Sequence, residues 1–439
     1  MNAFIQSFGC PKNLVDTERI IFLAEKEGLD FVENPANADV IIINTCAFIK
    51  PAVEESVKAV LEATLLKGQT RCKRIIVAGC LVTRYGKELF NKIPAVDCFI
   101  GPSSVEETAR IIRRYRRTTA GGREFIPMGR KRADFRGRTV TAPGHYAYLK
   151  LSEGCSNNCS FCTIPMIRGR LRSRPAGEII EEAKILAGKG VKELIIIGQD
   201  IASYGSDRGR RELPALLKKI EDIGGIRWIR LMYMHPAHIT DGIISAVSDS
   251  EKICRYMDIP LQHVNDGILR AMNRKITGSE IAGLIDTLRN RIEGLKIRST
   301  FIVGFPGETK KIYRELKDFV KSAELDRMGA FVYSPEEETA AYNLNGRVGI
   351  AEAVRRHMEL MDIQKKISSG KNKDLTGKRI RVIIDSCGGG DKYCVARSQW
   401  DAPDIDCTVR VSGGNLKPGD MVDVFVGKSS HFELFAECK

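Results

Sequence analysis

Short apolar runs alternate with helical patterns through the first hundred residues. Each run is three to five residues long and too short for a helix, so it is typical of a buried strand. Alternating strands and helices of this kind predict a small doubly wound α/β domain, which we place at residues 1–109. The predicted strands are Phe4–Phe8, Val40–Ile43, Ile75–Ala78 and Cys98–Ile100, and the predicted helices are Asn13–Glu27 and Val53–Leu66.

The alternation resumes near residue 146 and continues through six strand–helix units in fewer than 200 residues. A closed barrel of eight such units typically needs ~250 residues. The pattern therefore predicts a partial, six-unit (β/α) barrel, which we place at residues 141–371. Its predicted strands are Tyr146–Leu151, Glu193–Ile197, Trp228–Met232, Tyr256–Ile259, Ile297–Val303 and Gly329–Tyr333.

The C-terminal segment, residues 373–439, has five short strand patterns separated by glycine-rich turns. This arrangement predicts a small antiparallel barrel, of the kind that binds RNA or a protein partner. Nine Lys and Arg stand against nine Asp and Glu between residues 378 and 439. A module that grips phosphates is expected to be clearly basic, and this one is balanced. The predicted strands are Arg379–Ile384, Tyr393–Arg397, Thr408–Val411, Met421–Val426 and Phe432–Ala436.

A basic segment, residues 110–140, separates the first domain from the partial barrel. From Arg110 to Arg138, eleven Lys and Arg stand against Glu124 and Asp134, so this segment supplies about nine units of the formal net charge of +14. The pattern predicts a flexible basic linker. Contact with a nucleic acid backbone is the alternative function for these charges.

Three cysteines follow the first strand of the predicted barrel, at Cys155, Cys159 and Cys162, with the spacing C-x3-C-x2-C. Four thiolates close a cubane iron–sulfur cluster for electron transfer. Three thiolates leave one iron open to an outside ligand, as an open coordination position does in catalytic zinc sites. The alternatives are a zinc site or inert core cysteines, but zinc sites usually have a second ligand pair nearby, and none is present here.

A second set of three cysteines is dispersed, at Cys10, Cys46 and Cys80. Each one ends a predicted strand of the first domain. Because the carboxyl ends of parallel strands gather at one edge of a sheet, we expect these three thiols to converge although more than 30 residues separate them in sequence. The prediction is a second cluster with one open iron.

Composition favours a cytoplasmic protein. Thirteen cysteines in 439 residues are too few for a disulfide scaffold. We expect no disulfides, and we expect the cysteines outside the two sets to be small buried hydrophobic residues. No stretch approaches ~18 apolar residues without a charge, so no membrane span is expected.

Several stretches carry a resemblance to the methylthiotransferase family of radical S-adenosylmethionine enzymes over essentially the whole chain. The order of domains is similar, with an N-terminal cluster domain, a radical core and a C-terminal TRAM barrel. The closer resemblance is to the branch that modifies an aspartate of ribosomal protein uS12. Cys407 stands where this branch usually has glycine, and Ile201 where it has threonine. The stretches that resemble this branch are 9–16, 199–200, 258–263, 331–337 and 401–406.

The resemblance implies two 4Fe-4S clusters, and S-adenosylmethionine as both radical source and methyl donor. Cys155, Cys159 and Cys162 would hold the cluster that cleaves S-adenosylmethionine, and the resulting radical would abstract hydrogen from the β-carbon of the target aspartate. The second cluster would present sulfur. A low-potential electron donor such as ferredoxin or flavodoxin and a sulfur source are the implied partners. The candidate cofactor contacts, each of which could instead be an ordinary turn or core residue, are Gln199, Asp200, Arg298, Thr300, Gly304, Gly307 and Glu308.

The acidic loop of the C-terminal barrel is the predicted docking surface. Asp401, Asp404 and Asp406 would steer a strongly basic ribosomal protein, and the same charges would repel a tRNA backbone. The alternative is that they satisfy local turns. Two other functions stay open for the chain: methylthiolation of tRNA adenosine by the same chemistry, and a non-catalytic RNA- or ribosome-binding role with structural cysteines.

Overall fold

The computed structural model describes residues 1–117, 122–127, 134–388 and 393–438. The backbone divides into two compact units. The first comprises residues 1–141, 153–158 and 162–174, and the second comprises residues 142–152, 159–161 and the chain from residue 175 onward. These compact units are discontinuous in sequence and do not test the predicted domain boundaries at residues 109, 140 and 371, which stay a prediction.

The first unit is built on a six-stranded sheet in the order β2-β1-β3-β4-β5-β6, in which every pairing is parallel. The three strands that lead into the dispersed cysteines, β1, β3 and β4, are neighbours. The elements are β1 (Asn2–Ser7), α1 (Pro11–Lys26), β2 (Asp30–Phe31), β3 (Val40–Thr45), α2 (Lys50–Leu66), β4 (Arg74–Gly79), α3 (Cys80–Lys92), β5 (Cys98–Ile100), α4 (Glu107–Arg117) and β6 (Glu124–Ile126).

Two apolar cores lie on the opposite faces of this sheet, and β3 contributes side chains to both. Val40 and Ile42 belong to one core, with residues of α1 and α4. Ile41 and Ile43 belong to the other, with residues of α2 and α3. Helices on both faces of a parallel sheet explain why its strands are continuous apolar runs, since alternate side chains are buried on each side. The doubly wound prediction is confirmed.

The predicted basic linker is partly regular structure. Its residues form the C-terminal part of α4 and the sixth strand β6, while residues 118–121 and 128–133 lie outside the described residues. Arg110 pairs with Glu107 and Glu124, and Arg113 pairs with Glu27. The prediction of a flexible segment is therefore wrong for these elements, because carboxylates of the same unit neutralise part of the positive charge.

The second unit contains a sheet in the order β14-β13-β12-β11-β10-β7, again all parallel. Six strands in sequential order confirm the partial barrel. The elements from this part of the chain are β7 (Tyr146–Lys150), β8 (Ser152–Glu153), α5 (Ile164–Arg168), β9 (Arg172–Ser173), α6 (Ala176–Gly188), β10 (Glu193–Ile197), α7 (Leu213–Glu221), β11 (Trp228–Leu231), α8 (Asp241–Asp249), β12 (Ile253–Asp258), α9 (Asp266–Ala271), α10 (Gly278–Arg291), β13 (Lys296–Val303), α11 (Lys310–Ala323), β14 (Arg327–Val332) and α12 (Ile350–Lys373).

The C-terminal segment closes into a five-stranded barrel in the order β15-β16-β17-β19-β18. Four pairings are antiparallel, as predicted, and the pairing of β17 with β19 is parallel. Inward-facing Val and Ile residues fill the interior, among them Val382, Val409 and Val424. The strands are β15 (Arg379–Cys387), β16 (Cys394–Ser398), β17 (Thr408–Ser412), β18 (Met421–Ser429) and β19 (Glu433–Glu437).

A disulfide joins Cys387 and Cys394 in this barrel. The prediction of no disulfides is therefore wrong for the structure as it stands. The sequence patterns end β15 at Ile384, but a register shift extends that strand to Cys387, which lies opposite Cys394. The other cysteines outside the two sets form no disulfide. Cys72, Cys98, Cys254 and Cys407 are buried as predicted, whereas Cys438 is only half-buried, so the prediction is wrong for it.

Membrane-spanning helices were sought in the described parts of the chain. Within these residues, no helix has the length and apolar content needed to cross a bilayer.

Candidate functional site

Two left-handed glycines shape the edge of the first sheet where the dispersed cysteines lie. Gly9 and Gly79 have φ angles of 93° and 94°, a region that favours glycine. A Cβ on Gly9 would lie 3.0 Å from the Cys46 sulfur, and a Cβ on Gly79 would lie 2.4 Å from Asn44 Oδ1. Only glycine fits at both turns, so the backbone passes directly beside the neighbouring cysteine-bearing loop.

The three dispersed thiols converge at this edge. Cys10 is the residue before α1, Cys80 is the first residue of α3, and Cys46 follows β3. Cys46 and Cys80 are buried, Cys10 is half-buried, and none of the three forms a disulfide. The first turn of a helix stabilises negative charge, and this effect acts on Cys10 and Cys80.

The ionisation of these thiols is coupled. Burial raises the pKa of Cys80 to about 12, and the charges of Cys46 and Cys10 add to that effect. Burial also raises the pKa of Cys46. For Cys10 burial acts in the same direction, but Lys12, Arg168 and backbone hydrogen bonds outweigh it and lower the pKa. The contributions of Cys46 and Cys10 to the pKa of Cys80 indicate that the three thiols interact electrostatically at this edge, and a cluster bound to them stays a prediction.

The compact triplet lies in an irregular loop between β8 and α5. Cys155, Cys159 and Cys162 are half-buried. The backbone N–H of Asn157 lies 3.5 Å from the Cys155 sulfur and donates to it. Gly154, with a φ angle of 74°, allows the loop to pass beside Arg170, because a Cβ there would lie 2.3 Å from the Arg170 carbonyl oxygen.

Cys159 belongs to the second unit, where the residues after it anchor the loop. The Ser160 hydroxyl donates to the Ala271 carbonyl oxygen at 2.7 Å, and Arg274 Nη1 lies 3.9 Å from the Cys159 sulfur. Phe161 packs in an apolar cluster with Met272. Sequence analysis missed Arg274, which lies between two helices and follows no motif.

Within the described residues, no three His, Cys, Asp or Glu side chains are placed to hold one metal ion. A cubane cluster spreads its thiolate ligands over separate irons, so a site for a single ion is a different arrangement from the predicted cluster sites.

Gln199 follows β10 and is the predicted cofactor residue with the clearest signature. Its side-chain amide nitrogen and oxygen are both shielded from solvent, and neither has a hydrogen-bond partner among the described residues. Leaving a buried polar group unsatisfied costs about 1–3 kcal/mol. A bound molecule with both a donor and an acceptor would remove that cost.

Asp200 is committed to neighbouring side chains. Its Oδ2 accepts hydrogen bonds of 2.6 Å from both His238 Nδ1 and the Ser203 hydroxyl. Burial alone would raise the pKa of Asp200, but these bonds outweigh it and lower that pKa to about 2. Asp200 therefore organises the loop after β10, and a role in contacting a cofactor stays a prediction.

Arg298 and Thr300 lie on β13. Arg298 Nη1 donates to Asp258 Oδ1 at 3.0 Å and to Thr300 Oγ1 at 3.3 Å, and Nε lies 3.3 Å from Asp406 Oδ1. The guanidinium is thus held between two buried carboxylates. Its geometry supports the barrel, and contact with a cofactor stays a prediction.

The turn after β13 contains the last predicted cofactor residues. Gly304 and Gly307 have φ angles of 76° and 86°, which favour glycine. Glu308 is buried, accepts a hydrogen bond from the Gly304 N–H at 3.1 Å and pairs with Arg356 at 2.6 Å. Glu308 therefore closes the turn on itself, and its carboxylate has partners within the protein.

Two other strand ends show strained backbone. Tyr233, after β11, and Gln262, after β12, have φ angles of 63° and 71°, which cost of order 1 kcal/mol or more for a residue other than glycine. The Gln262 Oε1 atom is buried and lacks a hydrogen-bond partner among the described residues. Such strain and unsatisfied groups are typical of ligand-binding sites. The signal for Gln262 in the sequence was its place at a strand end.

The predicted acidic docking loop is mostly buried. Asp401 pairs with Arg327 at 2.8 Å and is fully buried, and Asp406 accepts a hydrogen bond from the Tyr256 hydroxyl at 2.7 Å. Burial raises the pKa of Asp406. The docking prediction is therefore wrong for these two aspartates, because arginine and tyrosine of the same unit already satisfy them. Asp404 is exposed, so a docking role stays a prediction for it alone.

Because Asp401 is buried and paired with Arg327, replacing it should lower the stability of the protein and leave the binding of a basic partner unchanged. The Asp401→Asn variant should lower the free energy of unfolding by about 3 kcal/mol, because it leaves Arg327 buried without its anionic partner. The exposed matched control, Asp404→Asn, should change it by less than about 0.5 kcal/mol. Chemical denaturation measures both. Unchanged stability of Asp401→Asn together with weaker binding of a basic partner would restore the docking role.

Comparison with known proteins decides the family. The uncharacterized protein family UPF0004 matches residues 2–101, the radical SAM superfamily matches residues 149–320, and the TRAM domain matches residues 376–438. Among curated relatives, the ribosomal protein uS12 methylthiotransferase RimO of Pelotomaculum thermopropionicum is 43% identical over 98% of each chain. The chain belongs to the RimO family. It is a radical S-adenosylmethionine methylthiotransferase, and an iron–sulfur cluster and S-adenosylmethionine are its cofactors.

Other relatives agree. Proteins of the same name from a Thermoanaerobacter species and from Bdellovibrio bacteriovorus are 41% and 39% identical, over 99% and 98% of this chain and 99% and 96% of their own. The solved structure of the radical S-adenosylmethionine methyltransferase TsrM from Kitasatospora setae has a TM-score of 0.55 at 14% identity and covers 76% of each chain. At that identity the likeness shows the fold alone.

Proposed function

We propose that this enzyme replaces a hydrogen on the β-carbon of an aspartate in ribosomal protein uS12 with a methylthio group, and that it uses two 4Fe-4S clusters to do so. The observation that carries the proposal is the pair of cysteine triplets, one in a single loop and one gathered at a sheet edge. The relatives named as uS12 methylthiotransferases support the choice of substrate.

Each triplet has a separate task in this proposal. Cys155, Cys159 and Cys162 bind the cluster that, when reduced, cleaves S-adenosylmethionine and supplies the radical chemistry. Cys10, Cys46 and Cys80 hold the second cluster, and the left-handed turns at Gly9 and Gly79 let the first and third of their loops pass close to the second. A β-carbon hydrogen of aspartate is too weak an acid for a side-chain base at neutral pH, which is why a radical route is needed.

Gln199 is the proposed contact for S-adenosylmethionine in the second unit. The amino and carboxylate groups of that cofactor offer both donors and acceptors, which match the two unsatisfied atoms of the Gln199 amide. Asp200, Arg298 and Glu308 then act as supports, because each is held by hydrogen bonds to side chains of the same unit.

The Gln199→Leu variant should bind S-adenosylmethionine about tenfold more weakly, because one or two hydrogen bonds of about 1 kcal/mol each are lost. Its thermal stability without cofactor should be unchanged or higher, since no hydrogen bond within the protein is broken. Equilibrium binding to the anaerobically reconstituted protein measures the affinity.

The matched control is Gln364→Leu. The Gln364 amide donates to the Leu325 carbonyl oxygen at 2.9 Å and to the Ser368 hydroxyl at 3.0 Å. This variant should lose stability and keep its cofactor affinity. Equal affinities for Gln199→Leu and the unmodified protein would remove Gln199 from the site.

The substrate assignment is tested by comparing two candidate substrates. The anaerobically reconstituted enzyme is incubated with reductant, sulfide and S-adenosylmethionine, and with either uS12 or unmodified tRNA in separate reactions. Mass spectrometry of both substrates should find a methylthio group on uS12, localised by fragmentation to an aspartate. A methylthio group on tRNA adenosine, with none on uS12, would establish the alternative substrate.

The balanced charge of the C-terminal barrel supports a protein substrate over a tRNA, since a phosphate-binding module is expected to be basic. A ribosomal substrate implies that the reaction takes place in the cytoplasm. The proposed partners are a low-potential electron donor, such as ferredoxin or flavodoxin, and a source of sulfide.

A further inference from the structure

One arginine reaches the second cysteine set from outside the N-terminal sheet. Arg168 is the last residue of α5, six residues after Cys162 in sequence. Its side chain is 1% exposed, although arginine is almost never fully buried unless it is paired. Ile167, beside it, packs in an apolar cluster with Cys80 and Leu81, which fixes the helix end against α3.

The guanidinium has partners on both of its terminal nitrogens. Nη1 donates to Glu153 Oε1 at 2.7 Å and to Asp16 Oδ2 at 3.1 Å. Nη2 donates to the side-chain oxygen of Asn13. One end of the guanidinium is therefore anchored by carboxylates, and the other is turned toward the residue that bridges the cysteine loops.

Asn13 connects all three loops of the dispersed set. Its Nδ2 donates to the carbonyl oxygens of Phe8 and Thr45, both at 2.9 Å, which immediately precede the turns at Cys10 and Cys46. Its Oδ1 lies 3.6 Å from the Cys80 sulfur. Arg168 fixes the orientation of this amide, because only the oxygen of Asn13 can accept its hydrogen bond.

The charge of Arg168 also acts on the thiols. Arginine stays protonated in proteins, so the Arg168 guanidinium places a buried positive charge beside the residue that bridges the cysteine loops. Reduction of a cluster held by three thiolates adds another negative charge to a buried site. Net charge and hydrogen bonds near the sulfurs set the reduction potential of such clusters.

We propose that Arg168 is a positioning residue for the second cluster: through Asn13 it holds the three cysteine loops in register, and its positive charge raises the reduction potential of the cluster they bind. This inference rests on the proposed function, in that Cys10, Cys46 and Cys80 hold an iron–sulfur cluster. Arg168 follows the compact triplet in the chain. Residues 155–168 therefore contain both the proposed ligands of the first cluster and the proposed positioning residue of the second.

The experiment isolates the second cluster. In a parent protein with Cys155, Cys159 and Cys162 all replaced by alanine, only the dispersed set can bind iron and sulfide. After anaerobic reconstitution, iron and sulfide content, the electron paramagnetic resonance spectrum and the midpoint potential are measured for the parent, for Arg168→Lys and for Arg168→Met. None of these readouts depends on catalytic activity.

Arg168→Met should shift the equilibrium away from the reduced form about tenfold, which for a one-electron couple is a midpoint about 59 mV more negative. Arg168→Lys keeps the charge and should stay close to the parent. The double variant Asp16→Asn/Arg168→Met removes one buried charge of each sign, so it tests the loss of the contact with Asn13 at unchanged net charge: its midpoint should shift less than that of Arg168→Met, and its iron content should fall. Arg138→Met, which removes another buried arginine of the same unit, should leave the midpoint unchanged.

Two results would overturn the inference, and they are distinguishable. A parent that takes up no iron or sulfide would remove the second cluster and the role of Arg168 with it. The second result is a parent that binds a cluster, together with an Arg168→Met variant and a double variant that both have its midpoint potential and iron content. That result would overturn the role of Arg168 alone.

Discussion

Replacing Cys155, Cys159 and Cys162 together by alanine should abolish both 5′-deoxyadenosine formation and methylthio transfer, each by roughly 10³-fold or more. These three thiols are the proposed ligands of the cluster that delivers an electron to S-adenosylmethionine. Without that electron the sulfonium bond stays intact, and no hydrogen leaves the substrate. Iron in the reconstituted protein should fall from about eight to about four atoms per chain, because the second set still binds a cluster.

The control for this variant is Cys254→Ala in β12. Cys254 is a buried free cysteine of the second unit, and it belongs to neither cysteine triplet. Cys254→Ala should keep its iron and its activity. Formation of 5′-deoxyadenosine at the normal rate by the triple variant would show that radical generation does not depend on the compact triplet.

Replacing Cys10, Cys46 and Cys80 together by alanine should separate the two half-reactions. Cleavage of S-adenosylmethionine to 5′-deoxyadenosine should continue, since the compact triplet is intact, while the methylthio product falls to background. The physical reason is that, in the proposal, the cluster held by these thiols presents the sulfur that is transferred. Iron should again fall to about four atoms per chain.

Cys72 and Cys98 provide the controls in the same unit. Both are buried and free, and Cys98 lies on β5, away from the glycine turns. Their alanine variants should retain the product, with a modest loss of stability from the vacated volume. A Cys10/Cys46/Cys80 variant that still transfers a methylthio group would contradict the assignment of the second cluster.

The sequence was sufficient to predict most strands, because buried strands of parallel sheets are continuous apolar runs. Cys98–Ile100 is a strand with the predicted bounds, and β3 extends the predicted Val40–Ile43 by two residues. Strand β6 was missed because it lies in a segment rich in Lys and Arg, which favoured the prediction of a linker. Its Glu124 pairs with Arg110, a contact that local pattern cannot reveal.

The convergence of Cys10, Cys46 and Cys80 was predictable for a related reason. Each thiol ends an apolar run, and the topology of a parallel sheet places such ends at one edge. The positions of the turns follow from glycine, which the sequence also shows. The bridging role of Asn13 was not predictable, since it depends on three loops that meet only in the fold.

The acidic loop shows where charge patterns fail. Asp401 and Asp406 have the composition of an exposed docking surface, yet Arg327, Arg298 and Tyr256 bury them. Sequence gives the sign of a charge and not the identity of its partner. Arg168 was missed for the same reason, since its partners lie 15 to 155 residues away in the chain.

The most direct test of the central claim follows the hydrogen that is removed. The enzyme is incubated with reductant, sulfide and S-adenosylmethionine, and with uS12 whose aspartates carry deuterium at the β-carbon, and the 5′-deoxyadenosine is analysed by mass spectrometry. The account predicts that 5′-deoxyadenosine gains deuterium and that the modified aspartate loses one deuterium as it gains the methylthio group. Methylthiolated uS12 formed with no deuterium in 5′-deoxyadenosine would contradict it.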